Sequence, residues 1–336
     1  MALSFALPFV TDTLLPEFDK DSVMYTGWMQ KFPVGQPLSP EESRSRFDVH
    51  TAQTAAPDER ASLIRFNSTY IELIDRRFRL RGMVSTTVVL LGTMGLFLLG
   101  LFLLFTLVIP NLEGDVWDWV MYAMVAVCVI GAPALFWHTT LKYEFFTYAW
   151  YPTRFNRRNR MVYFFTGGKE PAVAVPWDDA VFYIGRGTSQ AFLRDLRCSI
   201  IDERVIQRTF AVGHYFDDEQ AIKGLWEFVR RYMQQGPADV VDTIEGRQMN
   251  LSVNPSLRNC YLFVVASLGP AMLGARFVLM PLLLPLVLCR WLVLRSCRMP
   301  EWPQWVEDAC KVDPNDPLRL AEPEVMAQSQ AGRQSI

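Results

Sequence analysis

Three histidines, His50, His138 and His214, are the chain's whole supply of imidazoles for neutral-pH acid–base chemistry or metal ligation. None falls in a recognisable metal-ligand spacing, which argues against a metal centre and metal-assisted hydrolysis. Adjacent carboxylates occur at Asp178-Asp179, Asp202-Glu203 and Asp217-Asp218, the residue types a hydrolase uses as acid and base. Each pair falls at a predicted strand end or helix start, where carboxylates cap backbone N–H groups or solvate turns. Cys128, Cys198, Cys260, Cys289, Cys297 and Cys310 include no CxxC pair and read as packing residues, not as a disulfide framework or zinc site. There is no nucleophile elbow, P-loop or dinucleotide fingerprint, and Gly185-Arg-Gly187 is too short to count as one. The expectation is a protein that is not an enzyme and has no cofactor.

The cations carry more information. Arg154, Arg157, Arg158 and Arg160 crowd a predicted hairpin tip, where they are candidate contacts for anionic lipid or a protein partner. Each such cation is worth about 1 kcal/mol beside an anionic surface. The same arginines serve equally well as a topological signal. Arg276 lies inside a hydrophobic run, where a charge needs a partner or water. It is functional if that run crosses a membrane and structural if the run turns back at it. A formal net charge of −2 predicts no nucleic-acid partner.

The elements that position these residues begin with two long uncharged stretches, Gly82 to Leu112 and Trp119 to Trp137, separated by an acidic connection. A bilayer core of roughly 30 Å takes about 20 apolar helical residues, so both are long enough to cross. Arg76, Arg77, Arg79 and Arg81 precede the first stretch, and Lys142 and the arginine cluster follow the second. Positive charge stays inside, so both flanks are expected in the cytoplasm, with the Glu113 to Asp118 loop outside and Trp117 and Trp119 as interfacial anchors. Met1 to Val10 has no positive n-region and soon meets Asp12, Glu17 and Asp19, so no cleaved signal peptide is expected. This reading places the chain in a bacterial inner membrane.

Residues 1–66 are polar and proline-rich and are expected to be irregular. Residues 67–81, with Tyr70, Ile71, Ile74 and Phe78 at helical spacing, predict an amphipathic helix that either contacts lipid or extends the first span. The hairpin occupies 82–138. From 139 to 240 the pattern is short-period: candidate strands are Tyr143 to Tyr151, Arg160 to Thr166, Ala172 to Pro176, Ala180 to Gly185, Ala191 to Ile201 and Val205 to Val212. An amphipathic helix from Asp217 follows, with Gly236-Pro237 as its stop. Six strands and one helix match the element order of a pleckstrin-homology-like (PH-like) domain, with another small α+β topology as the competitor. The fold class is therefore an α+β membrane protein: a transmembrane helical hairpin, an antiparallel β domain closed by one helix, and a further hydrophobic helical segment.

A linker, 241–257, leads to that segment, 258–295, which contains Arg276 and the helix breakers Pro270, Pro281 and Pro285. Two forms remain open: a re-entrant or tightly packed helical hairpin turning near Gly269 to Gly274, or one kinked helix that exports the tail. Cations at both ends favour the first. The tail, 296–336, is expected in the cytoplasm.

Asn67-Ser-Thr-Tyr-Ile-Glu-Leu-Ile-Asp-Arg76, Pro176-Trp-Asp178, Leu225-Trp-Glu-Phe-Val-Arg-Arg-Tyr-Met233 with Gly236-Pro237, and Trp302-Pro303 resemble landmarks of a proteobacterial inner-membrane family of unknown function. The resemblance runs from about residue 67 to 310. Members are often encoded beside type VI secretion and toxin loci, which implies an immunity or accessory role and a protein partner such as a secreted toxin. It carries over no binding residues. The alternatives are a membrane-active component that forms or modulates a pore through 259–289, and a membrane-bound enzyme. The oligomeric state is not readable.

Overall fold

Nine strands lie at the centre of the computed structural model, which describes residues 32–109, 115–186, 193–240, 252–268 and 270–320. They are β1 (Arg46–Phe47), β2 (Leu63–Phe66), β3 (Tyr70–Leu73), β4 (Thr153–Asn156), β5 (Met161–Phe165), β6 (Ala172–Pro176), β7 (Val181–Arg186), β8 (Arg194–Asp202) and β9 (Val205–Phe216). One antiparallel sheet has the order β2-β3-β4-β5-β6 and the other β1-β7-β8-β9. The sheets face each other, with Phe164 of β5 stacked on Phe210 of β9 at 4.2 Å between ring centroids.

The helix Glu219–Gln234 closes this core. Asp218 caps it by accepting the Gln220 N–H at 2.9 Å, as expected of a carboxylate at a helix start. Its apolar face recurs at helical spacing and buries Ile222, Leu225, Trp226, Val229, Tyr232 and Met233. Trp226 stacks on Trp177 at 5.5 Å and on Phe47 at 5.1 Å, joining the helix to both ends of the β layer. Truncating such a buried Trp to Ala costs about 3–5 kcal/mol, so Trp226→Ala would severely weaken this layer.

Residues 67–81 do not form the expected helix. Tyr70–Leu73 is a strand, and the helix is confined to Arg77–Leu80. All four residues of β3 are buried, because the strand is interior to its sheet and covered on both faces. A strand buried on both faces loses its alternation, and its apolar run then imitates helical spacing. Residues 1–66 are not uniformly irregular either: the described part holds β1, β2 and the helix Pro40–Arg44, which starts with a capping box from Ser39 and Glu42. Tyr143 to Tyr151 is no strand. After a short 3-10 turn at Leu141–Tyr143, its aromatic residues pack where the helices meet the sheets, and their β propensity misleads.

Two helices, Val84–Val108 and Val116–Thr139, are long and apolar enough to cross a membrane, at 25 and 24 residues. A Cβ on Gly100 would lie 2.6 Å from Val129 Cγ2 and 3.0 Å from Cys128 Cβ, so the two pack closely at that glycine. Val88, Leu98, Phe102, Phe105, Trp117, Trp119 and Ile130 point outward and are exposed. The connection at 110–114, including Glu113, lies outside the described residues, as does the 241–251 part of the expected 241–257 linker.

These helices interrupt a sheet. β3 and β4 are hydrogen-bonded neighbours from Tyr70↔Asn156 to Leu73↔Thr153, yet both apolar helices lie between them in sequence. A further pair, Leu257–Ala266 and Met280–Ser296, is joined by the 3-10 turn Pro270–Ala275 and shares one core with Phe78 and Trp150. The chain folds back here, so the single kinked helix is not the form adopted. The tail then returns to the β domain: Ala149 N–H donates to Arg298 O at 2.8 Å, and Leu320 N–H donates to Phe66 O at 3.0 Å.

Candidate functional site

Arg154, expected at an exposed hairpin tip, is instead fully buried on β4. Its register partner on β3 is Glu72, whose Oε2 accepts from Arg154 Nε at 2.9 Å. Glu307, from the helix Gln304–Ala309, accepts from both terminal nitrogens at 3.2 Å. The guanidinium lies 4.3 Å from the Tyr70 ring centroid and 4.8 Å from that of Trp302, and Trp302 Nε1 donates to Glu72 at 3.2 Å. Burial opposes its charge, but the neighbouring anions, Glu72 foremost, outweigh burial and hold Arg154 above the ordinary guanidinium range. This is a clasp between sheet and tail, and it leaves no guanidinium face for lipid.

The other members of the cluster separate. Arg157 sits half-buried beside Gly236 past the end of the Glu219–Gln234 helix, with its Nε buried and without a hydrogen-bond partner. Arg158 is exposed. Arg160 is engaged with Asp178 through two hydrogen bonds of 3.0 and 2.5 Å. Its hydrogen bond holds the Asp178 carboxyl below the usual range. Arg276 is half-buried on the connection between the paired helices, with its guanidinium 4.9 Å from the Phe277 ring centroid.

Asp178 also lines an open cleft of about 310 Å³ with Arg46, Phe47, Asp48, Val49, His50 and Ala180. His50 Nε2 stands 3.9 Å from Asp178, beyond hydrogen-bond reach, and both side chains are largely exposed. Neither a Ser, Thr nor Cys nucleophile lines this cleft. Among the described residues no group of three or more His, Cys, Asp or Glu is placed to hold a metal ion. All six cysteines are free, and five are buried.

A second constellation escaped sequence reasoning. Arg81 and Arg290, each 1 % exposed, meet where the apolar helices join the β domain. Arg290 Nη1 donates to Phe78 O at 3.0 Å and Arg81 O at 2.6 Å, and its guanidinium lies 3.7 Å from the Phe263 ring centroid. Arg81 Nη1 donates to Glu144 O, Thr147 Oγ1 and Cys297 Sγ, while its Nε and Nη2 are buried without hydrogen-bond partners. The Glu144 carboxylate accepts the Gly82 N–H at 3.0 Å. The available signal was Arg290 itself, a charge closing an apolar run.

Fold and site define an α+β protein with two antiparallel sheets and an apolar helical unit set into one of them. More than half of the chain, residues 132–314, matches a family of unknown function (DUF6708), and the chain belongs to that family. The matched part takes in the Arg154–Glu307 clasp and the Arg290 helix. No curated protein and no solved structure matches the chain.

Proposed function

We propose that this chain is a non-enzymatic bacterial inner-membrane protein whose β domain, held at the cytoplasmic face, binds another protein as the immunity or accessory factor of a secreted toxin. The observation that carries the reading is the placement of both long apolar helices between the paired strands β3 and β4. A domain tied to such helices at two adjacent strands cannot swing away as it would on one flexible linker, so it presents a fixed surface beside the bilayer. The outward apolar side chains of the helices support the membrane part, since monomeric soluble proteins rarely leave so much contiguous apolar surface in water. Two antiparallel sheets followed by the Glu219–Gln234 helix support reading the domain as a PH-like binding module. The cationic flanks of both helices support the orientation. The toxin connection rests on the family resemblance in the sequence.

Co-expression with each toxin encoded beside the gene tests the proposal. Restored growth, with co-purification of toxin and chain, is the expected result. Absence of protection from all of them would overturn it, and growth arrest by the chain alone would favour a pore-forming component.

A further inference from the structure

The loop after the second apolar helix and the end of the Met280–Ser296 helix are zipped together. Arg298 N–H donates to Thr147 O at 2.8 Å, Cys297 Sγ donates to Glu144 O at 3.2 Å, and Phe146 N–H reaches Ser296 Oγ at 3.5 Å. Lys142, Arg295 and Arg298 flank the zippered residues in sequence and are all exposed, with Lys142 Nζ 5.0 Å from the Tyr143 ring centroid. Phe146, itself in the zipper, is 68 % exposed and held at φ 57. An aromatic residue rarely adopts that conformation, and here it turns the ring outward against Trp137, 6.0 Å away. Beneath lies Arg81, buried, with two guanidinium nitrogens unpartnered. The carboxylate in the loop, Glu144, accepts the Gly82 N–H at 3.0 Å.

Cations beside an outward aromatic ring, next to helices with exposed apolar sides, match the chemistry of a phospholipid: phosphate at the cations, acyl chain at the ring. We propose that Lys142, Arg295, Arg298 and Phe146 form a binding site for an anionic phospholipid, with the headgroup phosphate between the cations and Phe146 wedged among the acyl chains. The buried Arg81 adds positive potential from below. The site rests on the reading that the two long helices cross a bilayer. It replaces the Arg154 cluster as the lipid contact, because that cluster is buried, paired or dispersed.

The test uses the full chain in nanodiscs of mixed phosphatidylglycerol and phosphatidylcholine, with the lipid retained on detergent extraction quantified by mass spectrometry. The native chain is expected to enrich phosphatidylglycerol. Lys142→Gln, Arg295→Gln and Arg298→Gln should each lower the enrichment roughly fivefold, the equivalent of about 1 kcal/mol per cation. Phe146→Ser should lower retention of both lipids. Arg158→Gln and Arg208→Gln, outside this site, should leave the enrichment unchanged. Equal retention of the two lipids by the native chain, or enrichment that survives the triple Gln variant, would overturn the site. A chain washed from vesicles by alkaline carbonate would instead overturn the membrane reading beneath it. Inorganic phosphate added in neutral detergent should not displace the lipid, and displacement would assign the site to free phosphate.

Discussion

Gly82 lies against Arg290 so closely that a Cβ on it would stand 2.5 Å from the Arg290 Cα and 3.1 Å from its backbone N. Gly82 also holds φ +66, the left-handed conformation that side chains disfavour. It is the point where the chain turns from the Arg77–Leu80 helix into the first long apolar helix, against the helix that carries Arg290. Gly82→Ala therefore combines a conformational cost of about 1 kcal/mol with a backbone clash of about 1–3 kcal/mol. Thermal unfolding in detergent should show a loss of about 2–4 kcal/mol. Gly95→Ala, where nothing lies within 4 Å, should be neutral or slightly stabilising. Equal behaviour of the two variants would mean that the Gly82–Arg290 contact does not hold the units together.

The Arg154 clasp makes an asymmetric prediction. Arg154→Met leaves Glu72, 4 % exposed, as a buried carboxylate without its guanidinium, a loss of about 3–5 kcal/mol. Glu307→Gln should cost about 1 kcal/mol or less, because the Glu307 side chain is 44 % exposed and water screens its pair. Adding Glu72→Gln to Arg154→Met should recover part of the loss, which a double-mutant cycle would read as coupling. Arg158→Gln should stay within about 0.5 kcal/mol of the native chain. Additive effects of Arg154 and Glu72 would contradict a direct pair.

What the sequence disclosed followed the range of its signals. β6 falls at its expected bounds, Ala172–Pro176, and the Glu219–Gln234 helix where its periodicity, Asp218 cap and glycine stop put it. These elements are specified by their own residues. β2 and β3 went unread because β3 finds its other partner, β4, beyond two long helices, and their burial hides any period. Long-range pairing explains the site errors too. Arg154 looks like a tip cation until the tail brings Glu307 to it, 153 residues later, and the Arg81–Arg290 contact joins residues 209 apart. A sequence displays a charge but not the distant group that neutralises it.

Acid should weaken the β domain in two stages. Burial first of all, then the nearby Arg79, drives His214 down to about 3 from its ordinary 6.5, with a backbone hydrogen bond to Ala61 opposing them. The unfolded chain takes up a proton near 6.5 and the folded chain only near 3. Stability is thus complete above pH 6.5 and falls as pH drops through that window, by up to about 1.4 kcal/mol per pH unit. Glu227 acts in the same direction lower down. Burial raises it, but hydrogen bonds from Arg230, Arg231 and the Gln53 N–H outweigh burial and bring it to about 2 from 4.5. Its contribution is present above 4.5 and lost as pH falls toward 2. His214→Gln should flatten the denaturation profile between pH 6.5 and 4.5 and lessen, without removing, the loss below 4.5, where Glu227 still acts. An unchanged upper slope would remove His214 from this role.

The tail's path fixes which side of the helical unit it occupies. After Ser296 the chain bonds to Thr147 and Ala149, then Asn156 Nδ2 donates to Ala309 O at 2.7 Å, and Ser68 donates to Asp316 through its N–H and Oγ at 2.6 Å each. Val306 and Cys310 are buried against Tyr70 and Tyr163 on the outer face of the sheet. Both ends of the Leu257–Ser296 pair therefore lie on the side of the β domain, whichever way the assembly faces. A fluorescent reporter at the C-terminus and one fused after residue 240 should report the same compartment, and an alkaline phosphatase fused just after residue 115 should report the opposite one. Asp316→Ala should loosen the tail and raise its cleavage by protease from the domain side without changing the compartment. A C-terminal phosphatase active in the compartment opposite the β domain would require the Leu257–Ser296 segment to cross, and would break every tail contact from Arg298 to Leu320.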